Sequence, residues 1–307
     1  MSRDAFEGVE FDIGDPHERE RVRRHHDRMK DEDEQRRHED MAVRARTAYL
    51  HMRLGDFYVR SGKIQRAIGE YKRAVKMDRH NAVFRTRLGD MYLLNDMVDQ
   101  AMAQYRLAIK DSPELSDPRV SLGDLYRRFG MNVQALEQYR VAVRAEPTRA
   151  YYRFKVADTL AAVDHFDEAM KEMRTVVSLA PNDAFYRFRM GSLYLRVGAV
   201  EAATAELLKA TQLAPFDGYY LVRYAILSLA TDGIVQAIDA FRMAVKMEPR
   251  NRCYRVLLAD AYAAAGLEAE AGDMLASAGD LDGYDIEFVG RRRLELSQAE
   301  IDAGQAQ

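Results

Sequence analysis

Five of the seven prolines, Pro113, Pro147, Pro181, Pro215 and Pro249, stand 34 residues apart. Fixed spacing of this size confines a chain to a tandem array, because the same local signals must recur at every period. Counted out from the prolines, seven units of 34 residues cover 48–285 without an insertion. An alanine holds one position in every unit: Ala67, Ala101, Ala135, Ala169, Ala203, Ala237 and Ala271. Four residues on stands a larger side chain (Tyr71, Tyr105, Tyr139, Met173, Leu207, Phe241, Leu275), and seven on a small one, alanine everywhere except Val176. Small, large, small at i, i+4 and i+7 makes one helical face that lets a neighbouring helix approach closely.

The first half of each unit carries a second face, Leu54-Gly55-Tyr58, Leu88-Gly89-Tyr92 and Leu122-Gly123-Tyr126. Later units soften it, as in Val156-Ala157-Leu160 and Met190-Gly191-Tyr194. Spacing i, i+1, i+4 is again helical. Between the two faces falls a turn position: Gly62, Asp96, Gly130, Asp164, Gly198, Asp232 and Gly266. Glycine accepts the left-handed conformation that ends a helix, and aspartate tolerates it. The proline follows the second helix, which it cannot continue. Each unit is therefore two antiparallel helices, A and B. One such pair cannot bury its apolar face alone, so the units must stack into an all-α array.

The pattern Leu-Gly…Tyr…Ala…Tyr/Phe…Ala…Pro on this period resembles the tetratricopeptide repeat family. The family's large aromatic near the fourth position of helix A is replaced by His51, Arg85, Arg119, Arg153, Arg187, Leu221 and Arg255. An aromatic stands one residue earlier in several units (Phe84, Tyr152, Tyr186, Tyr220, Tyr254), which we read as the same packing role shifted by one place. The resemblance implies a right-handed superhelical solenoid of antiparallel helix pairs whose A helices line a concave groove. It also implies a non-catalytic scaffold, adaptor or assembly factor that binds a peptide or helix of another protein.

In the family the groove draws on fixed positions of each unit. Carried onto this sequence, the second and fifth positions supply Tyr49, Met52, Tyr151, Phe154, Phe185, Phe188, Tyr219 and Val222. Tyr151, Phe154, Phe185, Phe188 and Tyr219 would form an aromatic cluster on consecutive A helices. The ninth position supplies Asp56, Asp90, Asp124 and Asp158, and the sixth Arg53, Arg87, Lys155 and Arg189. Arg53–Asp56, Arg87–Asp90 and Lys155–Asp158 are spaced as i, i+3 ion pairs. Family members that hold a chaperone's C-terminal carboxylate use Lys and Asn at the fifth and ninth positions. Here these positions are apolar and acidic, so the expected ligand carries Lys or Arg beside apolar anchors.

Outside the array, residues 1–47 form a charged extension: an extended segment, then a polar helix opening at Asp15-Pro16 or a disordered stretch. Phe6, Val9, Phe11 and Ile13 alternate with acidic residues. They are a candidate docking peptide for a partner or for self-association through the extension. His25 and His26 would point about 100° apart on one helix, so no metal site is read there. Residues 286–307 read as a capping helix and tail. Phe288, Val289 and Leu294 are expected to cover the last B helix, and Ser297 with Glu300 resembles a capping box.

The net charge of −3 argues against a broad nucleic-acid footprint. No run of about 18 apolar residues would span a membrane. The single cysteine, Cys253, excludes an internal disulfide and suits a cytoplasmic setting. We read no catalytic constellation, cofactor motif or metal ligand set, and expect no enzyme. A structural subunit that self-associates, or that is a permanent component of a larger complex, membrane-associated or not, is the alternative within the binding class, and an RNA-binding helical array is the distant one.

Overall fold

A left-handed residue stands between the paired helices wherever the period places one. Gly62, Gly130, Gly198 and Gly266 have φ of 68, 71, 75 and 74°, and Asp96, Asp164 and Asp232 have φ of 54, 61 and 57°. These angles come from a computed structural model that describes residues 16–305. Glycine fills the position without steric cost, while aspartate pays about 1 kcal/mol for its Cβ. Gly130→Val is therefore expected to cost clearly more than Gly130→Asp, by about 1 kcal/mol, because a β-branched side chain is a true outlier there. Urea unfolding of the two variants checks the order.

The chain divides into two compact lobes, Met1–Glu114 and Leu115–Gln307. The first contains α1 (Pro16–Arg60), α2 (Ile64–Met77), α3 (Ala82–Leu94) and α4 (Val98–Asp111). α1 pairs with α2, α3 with α4, and α2 packs on α3. The second contains α5 (Asp117–Arg128), α6 (Asn132–Ala145), α7 (Ala150–Ala162), α8 (Phe166–Leu179) and α9 (Ala184–Arg196). It continues with α10 (Val200–Leu213), α11 (Gly218–Ala230), α12 (Ile234–Met247), α13 (Arg252–Ala264), α14 (Glu268–Ala278) and α15 (Gly283–Gln305). From α5 to α14 the helices form five hairpins, each B helix also packing on the following A helix. All elements among the described residues are helical.

The alanine and large-residue columns meet within each hairpin. Tyr71, Tyr105 and Tyr139 are almost wholly buried. A Cβ on Gly55 would stand 2.9 Å from the Tyr71 ring, and one on Gly89 or Gly123 would stand 2.6 Å from Tyr105 or Tyr139. The glycine is the clearance for the ring. The arginine column that replaces the family aromatic ties A to B: Arg153 and Arg187 donate to Glu172 and Glu206 at 2.9 and 3.0 Å. The aromatic shifted by one place is buried at Phe84, Tyr152, Tyr186 and Tyr254, and half-buried at Tyr220.

Two terminal elements depart from expectation. α1 runs unbroken for 45 residues, so the boundary drawn at 47/48 falls inside one helix. Its described side chains from Arg23 to Arg46 are exposed. α15 does not cover the last B helix. It packs on α11, α13 and α10. Val289 is buried there and Phe288 meets the ring of Tyr254, whereas Leu294 is 72% exposed. Ser297 opens no turn: it lies inside α15 and its hydroxyl donates to the Arg293 carbonyl. The apolar residues Val289, Leu296 and Ala299 share one α15 face, and that face follows the A-helix wall.

Candidate functional site

In the C-terminal lobe the aromatics of consecutive A helices touch. Phe154 of α7 meets Phe185 of α9 edge-on at 5.2 Å, and Phe188 of α9 meets Tyr219 of α11 at 5.4 Å. Phe188 also stacks on Tyr220. The outer rings are open: Tyr151, Phe185 and Tyr219 are 42, 43 and 41% exposed. Phe188 is half-buried, and Phe154 and Val222 are buried. These two, expected in the contact surface, form its floor instead, because the neighbouring helix covers them. Tyr49, Met52, Asp56 and Asp90 belong to the N-terminal lobe, where Tyr49 is exposed and the other three are half-buried. The docking-peptide residues Phe6, Val9, Phe11 and Ile13 lie outside the described residues.

The acidic column is already engaged. The phenols of Tyr71 and Tyr105, fifteen residues on in the B helix, donate to Asp56 at 2.5 Å and to Asp90 at 2.8 Å. Tyr139 donates to Asp124 in the same way. Burial first, and the acceptor carboxylate second, push the phenols of Tyr71 and Tyr139 up. Asp124 also takes Lys155, at 2.9 Å, from the next hairpin. Asp158, whose B-helix partner position is Met173 and offers no hydroxyl, is held between Arg127 and Arg189. The i, i+3 pair expected between Lys155 and Asp158 is thus replaced by a ladder that runs from hairpin to hairpin.

These partners bear on the expected preference for a basic ligand. A carboxylate has about four lone-pair sites, so one phenol leaves it able to accept a lysine, as Asp124 does from Lys155, whereas Asp158 is already compensated by two arginines. Around the open rings the charge is slightly positive: Arg127, Lys155, Arg189 and Arg196 stand against Asp124, Asp158 and Asp164, and the excess lies at Asp158, which Arg127 and Arg189 share. Burial and the neighbouring Arg127 hold the Arg189 guanidinium below its ordinary value. Its face lies over the Phe154 ring at 5.4 Å. A small recess of about 50 Å³ opens beside it, lined by Phe154, Ala157, Asp158, Arg189 and Ser192. The A-helix wall here combines exposed rings with surplus guanidinium, a surface suited to apolar anchors flanked by carboxylates.

Further along, the wall is occupied by the chain itself. Arg223 of α11 pairs with Glu295 of α15 at 2.5 Å, and Arg292 joins Glu295 at 2.7 Å. Arg293 grips Asp260 of α13 through two nitrogens at 2.8 and 2.9 Å. Cys253 Sγ lies 3.2 Å from Asp285 Oδ1. Burial, then the Asp285 contact, push the Cys253 thiol up to about 12. Sequence columns alone gave no sign of this occupancy. The available signal was the apolar spacing of Val289, Leu296 and Ala299, which marks a packed face without saying on what.

The family model for the tetratricopeptide repeat matches residues 42–116. Among solved structures, Pseudomonas aeruginosa pilF is similar at 14% identity, covering 67% of this chain and 94% of that one, with a TM-score of 0.59. The APC/C hetero-tetramer Cut9–Hcn1 is similar at 17% identity, covering 76% of this chain and 43% of that one, with a TM-score of 0.53. MamA from Desulfovibrio magneticus RS-1 is similar at 16% identity, covering 55% and 96%, with a TM-score of 0.50. No curated protein matches the chain. Among the described residues no helix is long and apolar enough to cross a membrane.

Proposed function

We propose that this chain, an all-α array of tetratricopeptide type whose family model matches residues 42–116, is a non-catalytic cytoplasmic scaffold that binds a partner polypeptide on the A-helix wall of its C-terminal lobe. The observation that carries this reading is the row of open rings, Tyr151, Phe185 and Tyr219, on successive A helices. Leaving such rings wet costs free energy that a partner would recover. The partner is a short helix or strand with aromatic or aliphatic anchors and nearby Asp or Glu, matching the surplus guanidinium of Arg127 and Arg189. The chain already solves the same problem once, since α15 lies on α11 and α13 with apolar residues and carboxylates. Cut9–Hcn1, a fold neighbour by its structure, is itself a hetero-tetramer, which fits a role in holding other chains together.

Panning a random peptide display library on the protein tests the proposal. Enriched sequences are expected to combine an apolar or aromatic pair with acidic residues. Tyr151→Ala with Phe185→Ala is expected to weaken such a peptide at least about tenfold. Arg189→Gln is expected to weaken the acidic preference, with some loss of melting temperature because Asp158 keeps only Arg127. Enrichment that ignores these three residues, or none at all beside an RNA ligand retained through low salt, would overturn the reading.

A further inference from the structure

The A-helix columns that are buried in the inner hairpins lie open on α1. Leu50 and Phe57 are 63 and 59% exposed, and Leu54 is open between them. Their counterparts on α3 are Phe84, Leu88 and Met91, and all three are buried. The equivalent positions of α5, α7, α9 and α13 are buried as well. The cause is visible at Phe84, which packs on Ala48 and Ala74 of the hairpin before it. Among the described residues α1 has no hairpin before it. Leu50, Leu54 and Phe57 are spaced i, i+4, i+7, so they make one apolar stripe.

α14 shows the converse. The large residue of the B helix is nearly fully buried at Tyr71, Tyr105, Tyr139, Met173, Leu207 and Phe241, but Leu275 is 50% exposed. α15 follows α14 where the next A helix of the series would stand, yet it leans onto α11 and α13. It leaves a recess of about 360 Å³ lined by Leu275, Ala278, Leu281, Ile286 and Val289. Gly272 and Gly279 face open space beside it. The charges are opposite. α1 exposes Arg44, Arg46, Arg53 and Arg60, whereas α14 exposes Glu268, Glu270 and Asp273.

We propose that a second copy of this chain docks the Leu50–Leu54–Phe57 stripe of its α1 onto α14, with Phe57 entering the recess beside Leu275. The contact repeats the B-to-A packing found between inner hairpins, this time between two molecules. Like charge disfavours pairing two α1 stripes face to face, and opposite charge favours α1 on α14. Such a contact is heterologous: each molecule keeps one free face of each kind, so association runs past the dimer to a closed ring or a filament. The inference is independent of the partner proposed for the A-helix wall, none of whose residues it uses.

The test is sedimentation of the full chain from low-micromolar to submillimolar concentration. The wild-type mass is expected to rise steadily with concentration through a series of species. Leu50→Asp with Phe57→Asp is expected to stay monomeric, and so is Leu275→Arg, both with unchanged circular dichroism. Mixed, the two variants are expected to form a one-to-one dimer and nothing larger, since each retains the face the other lacks. If the aspartates disturb α1, Arg53→Glu and Glu270→Arg serve instead. Each alone is expected to weaken association about tenfold. A wild type that stays monomeric throughout, a mixture that stays monomeric, or a Leu275→Arg variant that associates like wild type would each overturn the proposal.

Discussion

Replacing Glu295 by alanine is expected to release α15 from the A-helix wall at a cost of about 3–5 kcal/mol to its docking. Glu295 is the single carboxylate between Arg223 and Arg292, and all three side chains are only 13 to 14% exposed. Burial lifts the Glu295 carboxyl above its ordinary value even with two guanidiniums beside it. Burial likewise holds Arg223 below its own. The cluster is incompletely satisfied. Nε of Arg223 and Nε of Arg292 have no acceptor, and Glu295 Oε1, though 2.5 Å from Arg223, is off the hydrogen-bond line. With the carboxylate gone, two buried cations face each other, and undocking the helix is the cheapest relief. Cys253 reports the event. Its thiol is held near 12 by burial and by Asp285, which α15 carries. Release returns it to about 8.5, which raises the thiolate fraction at pH 8 about a thousandfold. Labelling with a disulfide reagent at that pH should accelerate by at least about tenfold, less than the thiolate fraction because nucleophilicity falls with pKa, while far-ultraviolet circular dichroism keeps most of its helix signal. The triple replacement Arg223→Met, Arg292→Met and Glu295→Leu should label as slowly as wild type, because an apolar cluster of similar size leaves no buried charge unpaired and docks at least as well. Equal labelling of wild type and Glu295→Ala would show that α15 is not held by this cluster.

The repeat was legible because its signals are local. The 34-residue proline spacing, the alanine column and the Gly/Asp turn each act within one hairpin, so each can be read without knowing what the hairpin meets. The i, i+15 bond from Tyr71 to Asp56 was equally present in the columns. In the first three units a B-helix tyrosine coincides with an acidic ninth position, and at Met173 the tyrosine is gone and Asp158 turns to Arg127 and Arg189. Reading the acidic column by itself made it look like a surface for lysine. The path of α15 was not legible. Its apolar face at Val289, Leu296 and Ala299 fits a B helix or an A-helix wall alike, and the choice turns on where Arg223 and Asp260 stand in three dimensions. The exposed rings were half legible: column positions grouped Tyr151, Phe154, Phe185, Phe188 and Tyr219 as one patch without separating the open rings from Phe154, whose burial depends on Phe185 and Tyr186 packing across from α9.

The same glycine-to-alanine change should have opposite signs at two positions of the C-terminal lobe. In α5, Gly123→Ala places a methyl 2.6 Å from the Tyr139 ring, closer than real contacts allow. The ring cannot retreat: it is wholly buried and its hydroxyl is tied to Asp124. Overpacking of this kind costs up to about 3 kcal/mol, from which roughly 1 kcal/mol of helix propensity is recovered. The net expectation is a loss of about 2 kcal/mol. In α14, Gly272→Ala meets nothing within 4 Å, so only the propensity remains and stability should rise by up to about 1 kcal/mol. The protein's own later hairpins supply the rescue. Where the A helix carries alanine, at Ala157, the facing residue is Met173. Gly123→Ala combined with Tyr139→Met should therefore lose less than the two single losses added together, with a coupling of about 1–2 kcal/mol. Chemical denaturation of the four variants at dilute concentration measures each value. Additive losses in the double variant would mean that the glycine serves backbone flexibility and not clearance for the ring.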